Sequence, residues 1–344
     1  MKSKQAIQLR SALRSGLISA VITAIFMYVI YFPGWQSIAA GLCIGFSIPL
    51  SLGFYYTYVM RKYLSRGNLL VLLSINTLVH VLVIFVIAIV FVVIFYMKGN
   101  INQILNNRHF WFSNEFLVGI GFGLVMSLVF NFFYILNTLI GRHILAKFFI
   151  GMYRHPREVE RIFMFLDLKS STSIAEKIGH LKFLSLVNDF FYDIAEPVRL
   201  TKGEIYKYVG DEAIISWKMK DGISEANCVR CFLMIIEIIQ KKSTYYNEKY
   251  GIVPTFKAGL HGGLSVTGEL GYTKREIAFM GDVLNTTARI EEACKTFDKQ
   301  LLISDDLVKK LTVYENIKYR EVGNVKLRGK EQKCRFRRIK KPFV

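Results

Sequence analysis

The chain has 344 residues, 52% of them hydrophobic, and carries 45 Lys and Arg against 26 Asp and Glu, a formal net charge of +19. A mean hydropathy of +0.33 excludes a disordered or fibrous chain, and the apolar excess before about residue 145 divides it into a membrane half and a soluble half. The positive charge would point to nucleic acid in a soluble protein, but much of it flanks apolar stretches and no aromatic-basic recognition module is present, so membrane lipids with anionic headgroups are the expected partner and nucleic acid is not.

Four apolar stretches are long enough to span a bilayer: Leu13–Phe32, Trp35–Met60, Leu69–Met97 and Phe116–Ile140. The first is too long, and too poorly followed by a cleavage site, for a signal peptide that is removed. Lys2, Lys4, Arg10 and Arg14 precede the first stretch, Arg61, Lys62 and Arg66 separate the second from the third, and Arg142, Lys147, Arg154 and Arg157 follow the fourth. The positive-inside rule puts these segments, and both termini, in the cytoplasm of a multi-pass inner-membrane protein. Asn76 and His80 in the third stretch and Asn131 and Asn137 in the fourth read as interhelical hydrogen-bonding groups. The expected organisation is a four-helix transmembrane domain over residues 1–141, a linker helix over 142–160 that stops near His155-Pro156, and a soluble domain over 161–344.

The soluble half opens on Arg161-Ile-Phe-Met-Phe-Leu-Asp167, a continuous apolar strand closed by an acid. Lys169-Ser170-Ser171-Thr172 then starts a helix whose first N–H groups would face an anion. The apolar positions Ile174, Ile178, Leu184, Val187, Phe190, Phe191 and Ile194 give the following helical region its core face. Gly203 to Trp217 reads as two strands around a Val-Gly-Asp-Glu turn, with Asp211 on the hairpin tip. Two carboxylates on rigid strand ends suit Mg²⁺ or Mn²⁺, which keep waters and share substrate phosphates. Cys228 and Cys231 form a Cys-x-x-Cys, but within an amphipathic helical pattern over Ser224–Lys241 that reads as core rather than zinc or redox. Further on, Gly281-Asp282-Val-Leu-Asn285-Thr-Thr-Ala-Arg289 places Asp282 to cap a helix and sets Asn285 and Arg289 four apart on one face. The order of elements is α+β, with a mostly antiparallel sheet expected to be covered on one face.

Taken together, these pieces resemble the catalytic domain of the class III nucleotidyl (adenylate and guanylate) cyclases, over roughly Arg161 to Ile339. The resemblance implies a ferredoxin-like, mostly antiparallel sheet with helices. It implies that Asp167, Asp211 and the backbone carbonyl of Leu168 bind two Mg²⁺ or Mn²⁺ ions. Lys207 matches the base-recognising lysine, and Ser170, Ser171 and Thr172 fall at the phosphate-facing helix start. Asn285 and Arg289 match the pair that orients the ribose and stabilises charge on phosphorus. Arg328 falls where the family places a basic residue against the terminal phosphates. The second base-reading position holds Ala278, which cannot hydrogen-bond a base.

The implied reaction is conversion of ATP to 3′,5′-cyclic AMP and pyrophosphate in signal transduction. With Ala278 in place, GTP or a pyrimidine triphosphate stays open as substrate, as does a catalytically silent nucleotide sensor. The resemblance also implies a homodimer, in which the metal aspartates of one protomer face the Asn and Arg of the other and two sites form at the interface.

Overall fold

The computed structural model falls into two compact units, Met1–Phe149 and Ile150–Val344. It describes helical positions within 13–47, 74–86 and 118–132 of the first unit and, in the second, residues 155–312 except Lys274, together with 318–326 and 333–340.

In the first unit, residues 16–26 form a helix turned inside out relative to a water-soluble one. Ser19, Ala20, Thr23 and Ala24 are buried, while Leu17, Ile18, Val21, Ile22 and Ile25 are exposed. Helical Gly41 and Gly45 pack against this small-residue face. A methyl group at Gly41 would lie 2.3 Å from the Ala24 Cα, and one at Gly45 would lie 2.5 Å from the Ser19 carbonyl oxygen. Small residues four apart let two backbones approach this closely. Among the described residues no helix is long and apolar enough to cross a membrane. Most of the four stretches, with Asn76, His80, Asn131 and Asn137, lies outside the described residues.

The second unit is built on one eight-stranded sheet. Its central strand is β1 (Arg157–Leu168), which begins a few residues before the Arg161 start read from the sequence. Two helices follow, α1 (Ser171–Ile178) and α2 (His180–Leu200), then the hairpin β2 (Glu204–Val209) and β3 (Glu212–Lys218). Next come α3 (Met219–Ile223), α4 (Asn227–Lys241) and α5 (Ser243–Tyr250). The pair β4 (Phe256–Leu270) and β5 (Glu276–Met280) leads to α6 (Asp282–Thr296), β6 (Leu301–Ser304), α7 (Asp305–Lys310) and a last pair, β7 (Lys318–Lys326) and β8 (Lys333–Lys340). The strand order is β2-β3-β1-β4-β6-β8-β7, with β5 paired to β4. Only the β4–β6 contact is parallel among the described pairings.

The sheet is covered on both faces, not one. Ile162, Met164, Leu166 and Leu168 join the main core with Leu186, Phe190 and Ile194 of α2 and Val229, Phe232 and Ile235 of α4. The alternate residues Phe163 and Phe165 pack with Ile214 and with Val283 of α6 on the opposite face. A strand apolar at every position needs cover on both sides, and the unbroken run in β1 is that pattern. Ile174 of α1 is buried, and on α2 Val187, Phe190 and Ile194 are buried as the helical period demands, whereas Leu184 points to solvent instead of the core. Cys228 and Cys231 are buried in the main core, and desolvation pushes both thiols up to about 12, which leaves them inert packing residues.

Candidate active site

The two aspartates are brought together at one end of the sheet. Asp167 is the penultimate residue of β1, and Asp211 occupies the two-residue turn of the β2–β3 hairpin, where Gly210 has φ +62°. A glycine at the first central position is what such a tight turn calls for. Asp167 carries a carboxyl raised above its ordinary value, first by burial and then by the neighbouring Asp211 charge. Asp211 Oδ2 is buried with no hydrogen-bond partner.

Further charges crowd the same corner. Glu212 lies directly across from Asp167 on β3, and Lys257 directly across on β4. Glu291, on the buried side of α6, sits 2.6 Å from Lys257 Nζ, which is also 3.3 Å from Asp167 Oδ2. The Glu212 carboxyl is pushed up to about 7 by burial and then by Glu291, Asp167 and Asp211. Four carboxylates near one ammonium leave negative charge in surplus, and the unpaired buried oxygen of Asp211 beside Asp167 fits a divalent cation. Among the described residues no group of three or more His, Cys, Asp or Glu is placed to hold a metal ion, which leaves the two aspartates as the candidate ligands. Two carboxylates that leave the remaining coordination positions to water and phosphate are the arrangement magnesium favours.

Leu168 closes β1 opposite Phe256, with its side chain in the main core. Ser170 is the residue before α1, in left-handed backbone at φ 57°, and makes no side-chain cap. Ser171 is half-buried and Thr172 exposed on the first turn. Asp282 is the first residue of α6 rather than its cap: Gly281 holds the cap position without a side-chain bond. There the Asp282 charge favours the helix N-terminus through the dipole, and its Oδ2 accepts from Thr286 Oγ1 at 3.4 Å.

Helix α6 presents two faces. Val283, Thr287, Ile290 and Glu291 turn toward the sheet, whereas Asn285 is exposed and Arg289 half-exposed on the outer side. Among the described residues neither Asn285 nor Arg289 makes a hydrogen bond or ion pair. Within one protomer, then, the pair points away from the face that carries Asp167. Arg328 lies outside the described residues.

Lys207 stands on β2, where a bulge interrupts the register between Ile205 and Lys207, and its Nζ is 3.3 Å from Glu276 Oε1 on β5. Both side chains are open to solvent, at 47% and 44% exposure. Ala278, half-buried opposite Gly268, lies two residues along from Glu276 and so on the same face of β5. The sequence reading missed Glu276, Glu212, Lys257 and Glu291. Glu291 had a local signal, an acid on the apolar stripe of a helix, and Glu212 adjoins Asp211. Lys257 and Glu276 become visible only through strand register and side-chain contact.

A family model of the adenylate and guanylate cyclase catalytic domain matches residues 156–337, more than half of the chain. The chain belongs to that family. Adenylate cyclase 2 of Rhizobium meliloti (strain 1021) is 38% identical over 197 residues, which cover 57% of this chain and 54% of that protein. An adenylate cyclase of Anabaena cylindrica is 25% identical over 187 residues, 52% of this chain and 36% of its own. The chain thus spans about half, or less, of the length of these curated relatives. A bacterial light-regulated adenylyl cyclase of known structure shares the fold, with TM-score 0.56 and 18% identity over 67% of each chain. The matched cyclase domain runs from just before β1 into β8 and leaves the first unit unmatched.

Proposed function

We propose that this protein is an adenylate cyclase, a phosphorus-oxygen lyase that converts ATP to 3′,5′-cyclic AMP and pyrophosphate. The observation that carries the reading is the Asp167–Asp211 corner, whose surplus carboxylates and unpaired buried oxygen call for divalent cations, within a domain of the cyclase family. Two Mg²⁺ or Mn²⁺ ions bound there would supply positive charge to the triphosphate and lower the pKa of the ribose 3′-hydroxyl. In the reaction O3′ bonds to the α-phosphorus, the bond from that phosphorus to the α–β bridging oxygen breaks to release pyrophosphate, and the hydroxyl proton passes to water. Arg289 meets the charge developing on phosphorus, and Asn285 orients the ribose. Arg328 belongs at the terminal phosphates. Ser170, Ser171 and Thr172 offer the start of α1 to the triphosphate.

Base reading falls to Lys207 and Glu276. A donor beside an acceptor matches adenine, whose ring nitrogen accepts next to an amino group that donates. Glu276 supplies the carboxylate that Ala278 cannot.

We further propose a homodimer with two interfacial sites. The support is the outward orientation of Asn285 and Arg289 on the helix whose other face lies on the Asp167 side, so that one protomer does not close its own site. Residues 1–141 form a four-span membrane domain with both termini cytoplasmic, and the segment from 142 to the start of β1 at Arg157 links it to the cyclase domain. The support is the inside-out helix packing, in which small residues meet at the contact and large apolar ones face outward.

The test uses the full chain in detergent with Mn²⁺ or Mg²⁺ and, separately, ATP, GTP, CTP and UTP, with products resolved by mass. Cyclic AMP as the main product, lost in Asp167→Ala, is expected. A different cyclic nucleotide would reassign the base, and no product from a folded dimer would favour the silent sensor. Coexpressed Asp167→Ala and Arg289→Ala chains should regain activity that each lacks alone, because the mixed dimer holds one intact site.

A further inference from the structure

At the carboxyl end of β1 the sheet sets three ionisable side chains in one row. Glu212 on β3, Asp167 on β1 and Lys257 on β4 are direct cross-strand partners and therefore project from the same face. Helix α6 can settle onto that face because residue 259 is glycine. A methyl there would lie 2.4 Å from the Glu291 backbone nitrogen and 2.7 Å from the Thr287 carbonyl oxygen. The close approach brings the buried Glu291 carboxylate down beside Lys257, the next residue along β4 on that face.

Lys257 is thus shared. Its side chain is 16% exposed, and its Nζ is 2.6 Å from Glu291 Oε1 and 3.3 Å from Asp167 Oδ2. The shorter contact is the one to Glu291, which has no place in the metal site, and the longer is the one to Asp167, which does. We propose that Lys257 is a resident counter-cation that competes with the divalent metal for Asp167, and that Glu291 holds it aside so that the metal can enter. The inference rests on the reading of Asp167 and Asp211 as metal ligands.

The physical case is one of pairing. A cation displaced from Asp167 without another partner would be left buried and uncompensated, which is costly. With Glu291 in place the ammonium keeps a counter-charge whether the metal is present or absent. Without Lys257, four neighbouring carboxylates would have no protein cation among them, and the site would draw a divalent ion more strongly while the metal-free fold loses an ion pair. Lys257 and Glu291 are positioning residues, since neither touches the substrate in this scheme, and together they set the metal concentration at which the site fills.

The two substitutions therefore act in opposite directions, which a merely structural ion pair does not predict. Mn²⁺ binding to the full chain in detergent, without nucleotide, is read from the free-ion signal in electron paramagnetic resonance. Lys257→Met should tighten the dissociation constant by about tenfold, the removal of one close like charge. Glu291→Gln should weaken it by about tenfold, because the freed ammonium settles on Asp167. The double variant should follow Lys257→Met, since no ammonium remains to be steered. Where a variant is less stable, the Mn²⁺-induced rise in its melting temperature over its own metal-free form reports the same ranking. Glu291→Asp, which shortens the arm but keeps the charge, should shift binding in the direction of Glu291→Gln by less. Shifts in the same direction for Lys257→Met and Glu291→Gln, or shifts under twofold in both, overturn the proposal. Asp167→Asn separates this failure from a deeper one. If the parent chain binds no Mn²⁺, or Asp167→Asn binds it equally, the metal-site reading itself falls and the proposal with it.

Discussion

The acidic corner at the end of β1 and the Lys207–Glu276 pair are charged sites of one sheet, built on opposite terms. The corner gathers Asp167, Asp211, Glu212 and Glu291 around the single ammonium of Lys257, largely out of water. The pair sets one charge against one other, nearly half exposed on each side. Burial decides what each can be for. An unbalanced cluster at low dielectric is unstable unless a further cation completes it, so it suits a divalent ion. A balanced pair in water contributes little to stability and gives way readily to a ligand that offers the same hydrogen bonds.

Substitutions break or sharpen this contrast, beginning with the corner. Asp167→Ala should reduce cyclic AMP formation by about a thousandfold, comparable to removing a principal electrostatic group, while guanidinium unfolding of the metal-free chain stays close to the parent. Gly259→Ala attacks the enclosure rather than the charges. A methyl pressed between β4 and the α6 backbone should cost about 3 kcal/mol in chemical denaturation, the upper range for overpacking, and lift Glu291 away from Lys257.

A gentler probe is pH. The folded chain holds the Glu212 proton up to about 7, whereas the unfolded chain releases it near 4.5. Between those values the folded state binds more protons, so the contribution of Glu212 to stability is full below the lower value and is lost as pH rises through the upper one. Melting curves in a chelator should show this decline, with a slope from Glu212 below the one-proton ceiling of about 1.4 kcal/mol per pH unit. Glu212→Gln should flatten it, though not abolish it, because the Asp167 and Glu291 carboxyls are raised as well.

The exposed pair gives the smallest effects. Glu276→Ala should change stability by less than about 1 kcal/mol, yet lower the preference for ATP over GTP in kcat/KM by about tenfold, as loss of one base-reading partner does. An unchanged ratio would return base choice to some other residue.

These sites were unequally legible in the sequence. Asp167 and Asp211 declare themselves because each closes an apolar run, and the Gly210-Asp211 turn fixes the hairpin locally. The unbroken apolar character of β1 carries the information that the sheet is covered on both faces, whereas the helical period of α2 speaks for one face only and places Leu184 in the core, where it is not. Lys257 carries no local signal. Its neighbour Asp167 is reached only through the antiparallel pairing of β1 with β4, and long-range register is a property of the folded sheet. Glu276 carries no local signal either, because its contact with Lys207 is made across the sheet, two residues before position 278 on the same face of β5.

Strand β1 is laddered to β4 from Arg157 to Leu168 and to β3 from Arg161 to Asp167. A strand held on both sides cannot stretch, slide or twist by itself without giving up its ladder bonds. From Arg161 to Asp167 the polypeptide therefore runs on a rail, not a hinge. A push or turn entering at Arg157 moves β3, β4 and their loads together, so Asp167, Asp211 and Lys257 keep their spacing while the sheet as a whole is displaced. Such a displacement carries the acidic corner as one preassembled piece without remaking it.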